Sequence, residues 1–178
     1  MALSKKIQEA INEQINKEFF SANLYLAMSS AFAEVNLNGF ANWMRIQYIE
    51  ETFHALKFYD FVLERGGSIE LKTIQKPELK STKPIDIFSQ TYEHEQLVTA
   101  SINSLMKLAR SEDDYATESY LKWFIDEQVE EESNASNLLE RLKIIGEDKS
   151  GLFMLDTELA QRVLSPTINL VNTSLAAN

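Results

Sequence analysis

Residues 50–54 read Glu50-Glu51-Thr52-Phe53-His54. They sit in the middle of a stretch whose apolar residues recur at helical spacing, so Glu51 and His54, three apart, share one face. That face should look into a core. A carboxylate and an imidazole so placed can grip one ion. Such a pair also arises by chance in many helices, where the histidine is simply a satisfied core residue.

Working outward, the helix carrying this pair is predicted over residues 40–65 and ends at Gly66-Gly67 in the usual C-terminal manner. Before it, Ser4 caps a helix over 5–34 whose apolar stripe runs Ile7, Ile11, Ile15, Ala22, Tyr25, Ser29, Phe32. The short break at residues 36–39 makes these two helices antiparallel neighbours. After the glycines comes an irregular stretch, 68–83, with Pro77 and four solvated lysines, Lys72, Lys76, Lys80 and Lys83. Extended, it reaches roughly 50 Å, more than the ~39 Å of the preceding helix. It can therefore cross the length of a bundle and start the next helix parallel to the last.

That next helix is predicted over 84–110, opening on Pro84, and an acidic link at 111–114 leads to a helix over 115–145 closed by Gly146. A short fifth helix over 152–164 stops before Pro166. The expected fold class is all-α, a four-helix bundle with a long crossover and a short fifth C-terminal helix. Residues 1–165 form its one domain, and 166–178 are a tail without a convincing face or an assigned role.

Composition narrows the function. At 178 residues, 44% hydrophobic and 25% charged, the chain has the make-up of one ordinary globular domain. A net charge of -10, from 27 acidic against 17 basic residues, argues against nucleic acid and suits cation handling or plain solubility. With no cysteine, disulfides, zinc–thiolate sites and iron–sulfur clusters are excluded. No run approaches the ~18 apolar residues of a membrane span, and the start of the chain has no apolar leader. The default expectation is a cytoplasmic protein that engages neither membrane nor nucleic acid.

Positions seven apart share a helical face with only ~20° of drift. On that register Glu18 falls in the stripe Ile11, Glu18, Tyr25, Phe32, and Glu51 falls between Met44 and Phe58. His54 lies in the adjacent row with Phe40, Gln47 and Phe61. Glu95 falls between Phe88 and Ile102, and Glu131 between Phe124 and Leu138, with Gln128 in the row beside it. Each of the four helices thus puts a Glu on its apolar face, roughly 17–24 Å from its end. Mid-helix positions meet mid-bundle whichever way the helices run.

An unpaired buried carboxylate costs several kcal/mol, against a whole-domain stability of about 5–15 kcal/mol. Four together need protons, water or multivalent cations. Oxygen donors with one imidazole suit iron or manganese. Further acids gather nearby: Glu50 precedes Glu51, and Glu127, Glu130 and Glu131 share a face at i, i+3 and i+4. A solvated acidic face would look the same.

These residues carry a specific resemblance. Residues 12–16 (Asn-Glu-Gln-Ile-Asn) with Glu18 and Tyr25, the Glu50-Glu51-x-x-His54 stretch, residues 91–96 (Thr-Tyr-Glu-His-Glu-Gln) and residues 127–132 (Glu-Gln-Val-Glu-Glu-Glu) are similar to prokaryotic non-haem ferritins over about residues 3–164. The ferritin-like di-iron pattern is one Glu from each of two helices and Glu-x-x-His from the others.

The resemblance implies an iron-storage protein with ferroxidase activity, assembled as a homo-oligomeric shell of two dozen subunits and using O2 or H2O2. It implies a first iron on Glu18, Glu51 and His54. Glu51 bridges to a second iron on Glu95 and Glu131, with Gln128 close by. A third iron is implied on Glu50, Glu127, Glu130 and Glu131, and Tyr25 near the centre is implied as an electron donor or hydrogen-bond partner. Two departures set the chain apart from bacterioferritins: Thr52 stands where they carry a haem-binding Met, and Glu131 stands in place of a second helix-borne His. Haem is therefore not expected. The rival readings are a non-storing di-iron oxidoreductase such as a peroxidase, a DNA-protecting mini-ferritin, which a complete ligand set in one chain disfavours, and a purely structural bundle.

Overall fold

A computed structural model describes residues 3–166 and Ile168; most of the tail read at 166–178 lies outside the described residues. Five helices follow one another: α1 Lys5–Glu34, α2 Asn38–Glu64, α3 Pro84–Ser111, α4 Tyr115–Ile145 and α5 Lys149–Leu159. Among the described residues there is no strand. Two compact units form. One comprises Met1–Leu79 with Phe153–Asn178, the other Lys80–Leu152.

The first unit is built on the pairing of α1 with α2. Ile7, Ile11, Ile15, Tyr25, Met28 and Phe32 of α1 are buried, as are Phe40, Met44, Phe58 and Val62 of α2. The Phe32 and Phe40 rings meet at 5.2 Å near the link, where Ser29 Oγ also donates to the Ala41 carbonyl at 2.8 Å. The second unit pairs α3 with α4, with Ile87, Phe88, Ile102, Leu121, Phe124 and Leu142 among its buried residues.

Both α1 and α4 start as the sequence predicts. The Ser4 hydroxyl accepts from Ile7 N–H and the Asp114 carboxylate from Thr117 N–H. Helix ends share one solution. After α1, α2 and α3 the chain turns back so that an N–H bonds a carbonyl five residues earlier: Leu37 to Phe32 at 3.0 Å, Gly67 to Val62 at 2.9 Å, Asp114 to Ala109 at 2.9 Å. This closure requires a left-handed residue just past the helix. Gly66 supplies it after α2 (φ 71°), while Asn36 (φ 61°) and Asp113 (φ 52°) do so elsewhere. Asn and Asp tolerate that conformation better than other side-chain-bearing residues.

The irregular link after α2 is tied to α1 rather than solvated throughout. Asn12 Nδ2 donates to the Ser68 carbonyl and its Oδ1 accepts from Glu70 N–H, both at 3.0 Å. Lys72 pairs with Glu13.

Two boundaries differ from expectation. The fifth helix begins at Lys149 because Asp148 caps it, accepting from Ser150 and Gly151 N–H at 3.1 and 3.0 Å, and it stops at Leu159. Helix α2 begins at Asn38, earlier than predicted, although Leu37 offers no capping side chain. Its cap comes from α5. Asp156 Oδ1 accepts from Gly39 N–H at 2.8 Å and Phe40 N–H at 3.0 Å. The approach is so close that a Cβ at Gly39 would stand 1.7 Å from the Asp156 carbonyl oxygen. Asp156→Ala should therefore lower the stability of the metal-free protein by about 1–2 kcal/mol, the usual worth of a helix cap. Urea denaturation at fixed protein concentration checks this, and an unchanged midpoint would show that the contact contributes nothing.

Candidate metal centre

The five side chains predicted to face inward are buried. Glu18, Glu51 and Glu95 are each 1% exposed, His54 3% and Glu131 6%. In the first unit, α1 brings Glu18 against Glu51 and His54 of α2, and one potential ligand atom from each lies within 4.8 Å of the other two. His54 Nδ1 is 3.7 Å from Glu51 Oε2. Glu18 Oε1 accepts from Gln14 Nε2 at 2.7 Å, whereas its Oε2 is buried and meets no hydrogen-bond donor. Tyr25, two turns further along α1, is wholly buried.

In the second unit, Gln128 of α4 reaches Glu95 of α3. Its Nε2 donates to Glu95 Oε2 at 3.1 Å and lies 3.4 Å from both the Glu95 carbonyl oxygen and Thr99 Oγ1. Thr99 Oγ1 in turn donates to Glu132 Oε1 at 2.5 Å. The amide nitrogen of Gln128 is thus engaged in holding a carboxylate. A recess of about 310 Å³ opens beside it, lined by Thr99, Ile102, Asn103, Ile125 and Val129.

The remaining acids stand differently. Glu127 is half-buried and Glu130 exposed. Glu50 Oε2 accepts from Arg162 Nη2 at 2.6 Å. Sequence reasoning assigned no role to Gln14, Thr99 or Arg162. Gln14 was detectable in principle, since it lies four residues before Glu18 on the same face. Arg162 is 112 residues from Glu50, and no local signal announces it.

Electrostatics follow from the burial. Loss of water, and then the adjacent Glu51 carboxylate, push the Glu18 carboxyl from an ordinary 4.5 up to about 8, against smaller downward pulls from His54 and the Gln14 amide. In the metal-free protein near neutral pH, Glu18 therefore holds a proton. A divalent cation among Glu18, Glu51 and His54 would replace that proton, satisfy the orphaned Oε2 and relieve the repulsion between the carboxylates. Two carboxylates and an imidazole are a donor set suited to iron or manganese, so the residues present fit such a cation.

Comparison with known proteins identifies the family. Residues 8–145 match the Ferritin-like domain family. The chain is 39% identical over 163 residues to a bacterial non-heme ferritin of Campylobacter jejuni, covering 92% of this chain and 98% of that relative. It is 41% identical over 160 residues to a bacterial non-heme ferritin of Staphylococcus epidermidis, covering 90% and 96%. Among solved structures it is similar to an open pore ferritin from the hyperthermophilic archaeon Archaeoglobus fulgidus, with a TM-score of 0.90, 47% identity and coverage of 91% of this chain and 100% of that one. A humanized archaeal ferritin gives a TM-score of 0.91 at 48% identity, covering 93% and 100%. The chain belongs to the ferritin-like family, and its fold is the all-α ferritin-like bundle with a short fifth helix.

The raised Glu18 carboxyl has a definite pH signature. Below pH 4.5 the side chain is protonated whether folded or unfolded and costs nothing. Between 4.5 and about 8 the unfolded chain ionises first, so stability falls as pH rises, by on the order of 5 kcal/mol at most over the window. Glu18→Gln cannot ionise and still accepts from Gln14. With a chelator present, its stability advantage over the wild type should widen from pH 5 to pH 8. Unfolding free energies measured across that range check it; parallel curves would show that Glu18 does not hold the proton.

Proposed function

We propose that this protein is an iron-storage ferritin with ferroxidase activity. The observation that carries the reading is the buried Glu18–Glu51–His54 cluster, with its undonated Glu18 oxygen, in a chain of the ferritin-like family. Fe(II) is the substrate. The first iron is taken by Glu18, Glu51 and His54. The second is taken by Glu95 and Glu131, with Glu51 bridging and Gln128 steadying Glu95. A third iron uses Glu50, Glu127, Glu130 and Glu131. Tyr25 stands by as an electron donor or hydrogen-bond partner.

The protein's own contribution is positioning and charge. Carboxylates stabilise Fe(III) more than Fe(II) because attraction grows with the ion's charge, and low surrounding polarity magnifies the difference. Two Fe(II) give up one electron each. With O2 and two protons the products are two Fe(III) and H2O2; with H2O2 and two protons they are two Fe(III) and two waters. Ferric iron then hydrolyses, releases protons and joins a mineral inside a homo-oligomeric shell of 24 subunits. The compartment fitting this reading is the cytoplasm, and the domain doing the work is residues 1–165. Among the described residues no helix is long and apolar enough to cross a membrane.

Loading the apoprotein with excess Fe(II) in air, while following oxidation, retained iron and particle mass, tests the reading. Rapid oxidation with hundreds of iron atoms retained per large particle is expected. A monomer that binds no iron would sink the proposal, and a small oligomer that oxidises iron without keeping it would favour a non-storing oxidoreductase. Glu51→Ala should slow oxidation at least tenfold and leave particle mass unchanged; an undiminished rate would remove Glu51 from the centre.

A further inference from the structure

Arg162 lies just beyond α5, and its side chain is spent entirely on α2. Nη2 donates to Glu50 Oε2 at 2.6 Å and to Gln47 Oε1 at 2.5 Å. Nη1 donates to the Trp43 carbonyl at 3.2 Å. The guanidinium lies over the Trp43 ring, 4.6 Å from its centre. Trp43, Gln47 and Glu50 occupy positions i, i+4 and i+7, one face of the helix. The backbone is held as well: Asn42 Nδ2 donates to the carbonyls of Leu159 at 3.2 Å and Arg162 at 3.0 Å. With side-chain exposures of 22% for Arg162 and 12% for Glu50, the pair is largely withdrawn from water. Its attraction is then less screened than that of a surface pair.

We propose that Arg162 is a resident counter-ion that competes with metal for Glu50. The inference rests on Glu50 being an iron ligand, as read above. An arriving dication meets a carboxylate whose charge is already matched and a guanidinium that repels it, so this ligand is available only when Arg162 yields. The neighbouring Glu51 faces His54, whose Nδ1 lies 3.7 Å from Glu51 Oε2. One turn of one helix therefore carries a carboxylate for firm binding beside a carboxylate for weak, exchangeable binding. The fixed charge supplies the difference: iron passing Glu50 is held loosely enough to move on.

Zn(II), which is redox-inert, is the probe. Calorimetric titration of the full-length metal-free protein should show two tighter events and a weaker third. Arg162→Gln should tighten the third at least tenfold and leave the first two unmoved, which also shows that the variant is folded. Arg162→Lys keeps the charge and should stay near the wild type, an outcome that a purely structural role for the planar guanidinium does not produce. In a Trp123→Phe background, which leaves Trp43 as the only tryptophan, the third Zn(II) should change Trp43 emission as the stack loosens, and Arg162→Gln should abolish that change. A third event lost with Glu50→Gln but indifferent to Arg162→Gln would overturn the competition alone. One that survives Glu50→Gln, or never appears, would remove Glu50 from iron binding and the proposal with it.

Discussion

Two acids side by side in a place without water are the constraint on which this molecule turns. Glu18 and Glu51 repel each other, and each has lost its solvent. Isolated from context, either would be a destabilising error in an apolar stripe. The protein tolerates them by partial measures: an amide from Gln14, an imidazole from His54, and a proton retained on Glu18. None of these completes the shell of a carboxylate pair, and the oxygen left over on Glu18 defines what the site lacks. A cation would answer these deficiencies together, and its binding would release a tension already present in the folded chain.

Such a site needs rigid walls, or its members would simply move apart. The rigidity of α2 is assembled from distant parts. Its first turn is capped by Asp156, its side-chain row at Asn42, Trp43, Gln47 and Glu50 is gripped by the segment ending in Arg162, and its last turn is closed by Gly66. The strand of contacts from α5 runs along the same helix that carries Glu51 and His54. In the second unit, a smaller version of the same economy holds Glu95, with Gln128 and Thr99 each serving two neighbours.

What could be read in the sequence was whatever depended on periodicity and local caps. Ser4, Gly66 and Gly146 mark helix ends through interactions spanning a few residues, and the seven-residue rows placed Glu18, Glu51, His54, Glu95 and Glu131 on inward faces, where they are buried. What escaped depended on partners far along the chain. Asn38 and Gly39 look like turn residues until Asp156 arrives from 117 positions away. Arg162, read as part of the fifth helix, gives no hint of a role until Glu50 is seen beneath it. The loop lysines, taken as solvated, include Lys72 paired with Glu13. Periodicity reports which way a side chain points. It says nothing of what will be waiting there.

The dependence of α2 on α5 also imposes an order of events during synthesis. A chain leaving the ribosome presents α1 and α2 early, with the apolar surfaces that let them pair. The first amides of α2 must wait for Asp156, 117 and 116 residues further on, and Glu50 must wait for Arg162, 112 residues further on. Until then α2, which bears Glu51, lacks the cap on its first turn, and Glu50 lacks this cationic partner. A chain cut short before residue 156 keeps Glu18, Glu51 and His54 and forfeits the contacts from α5 that support α2.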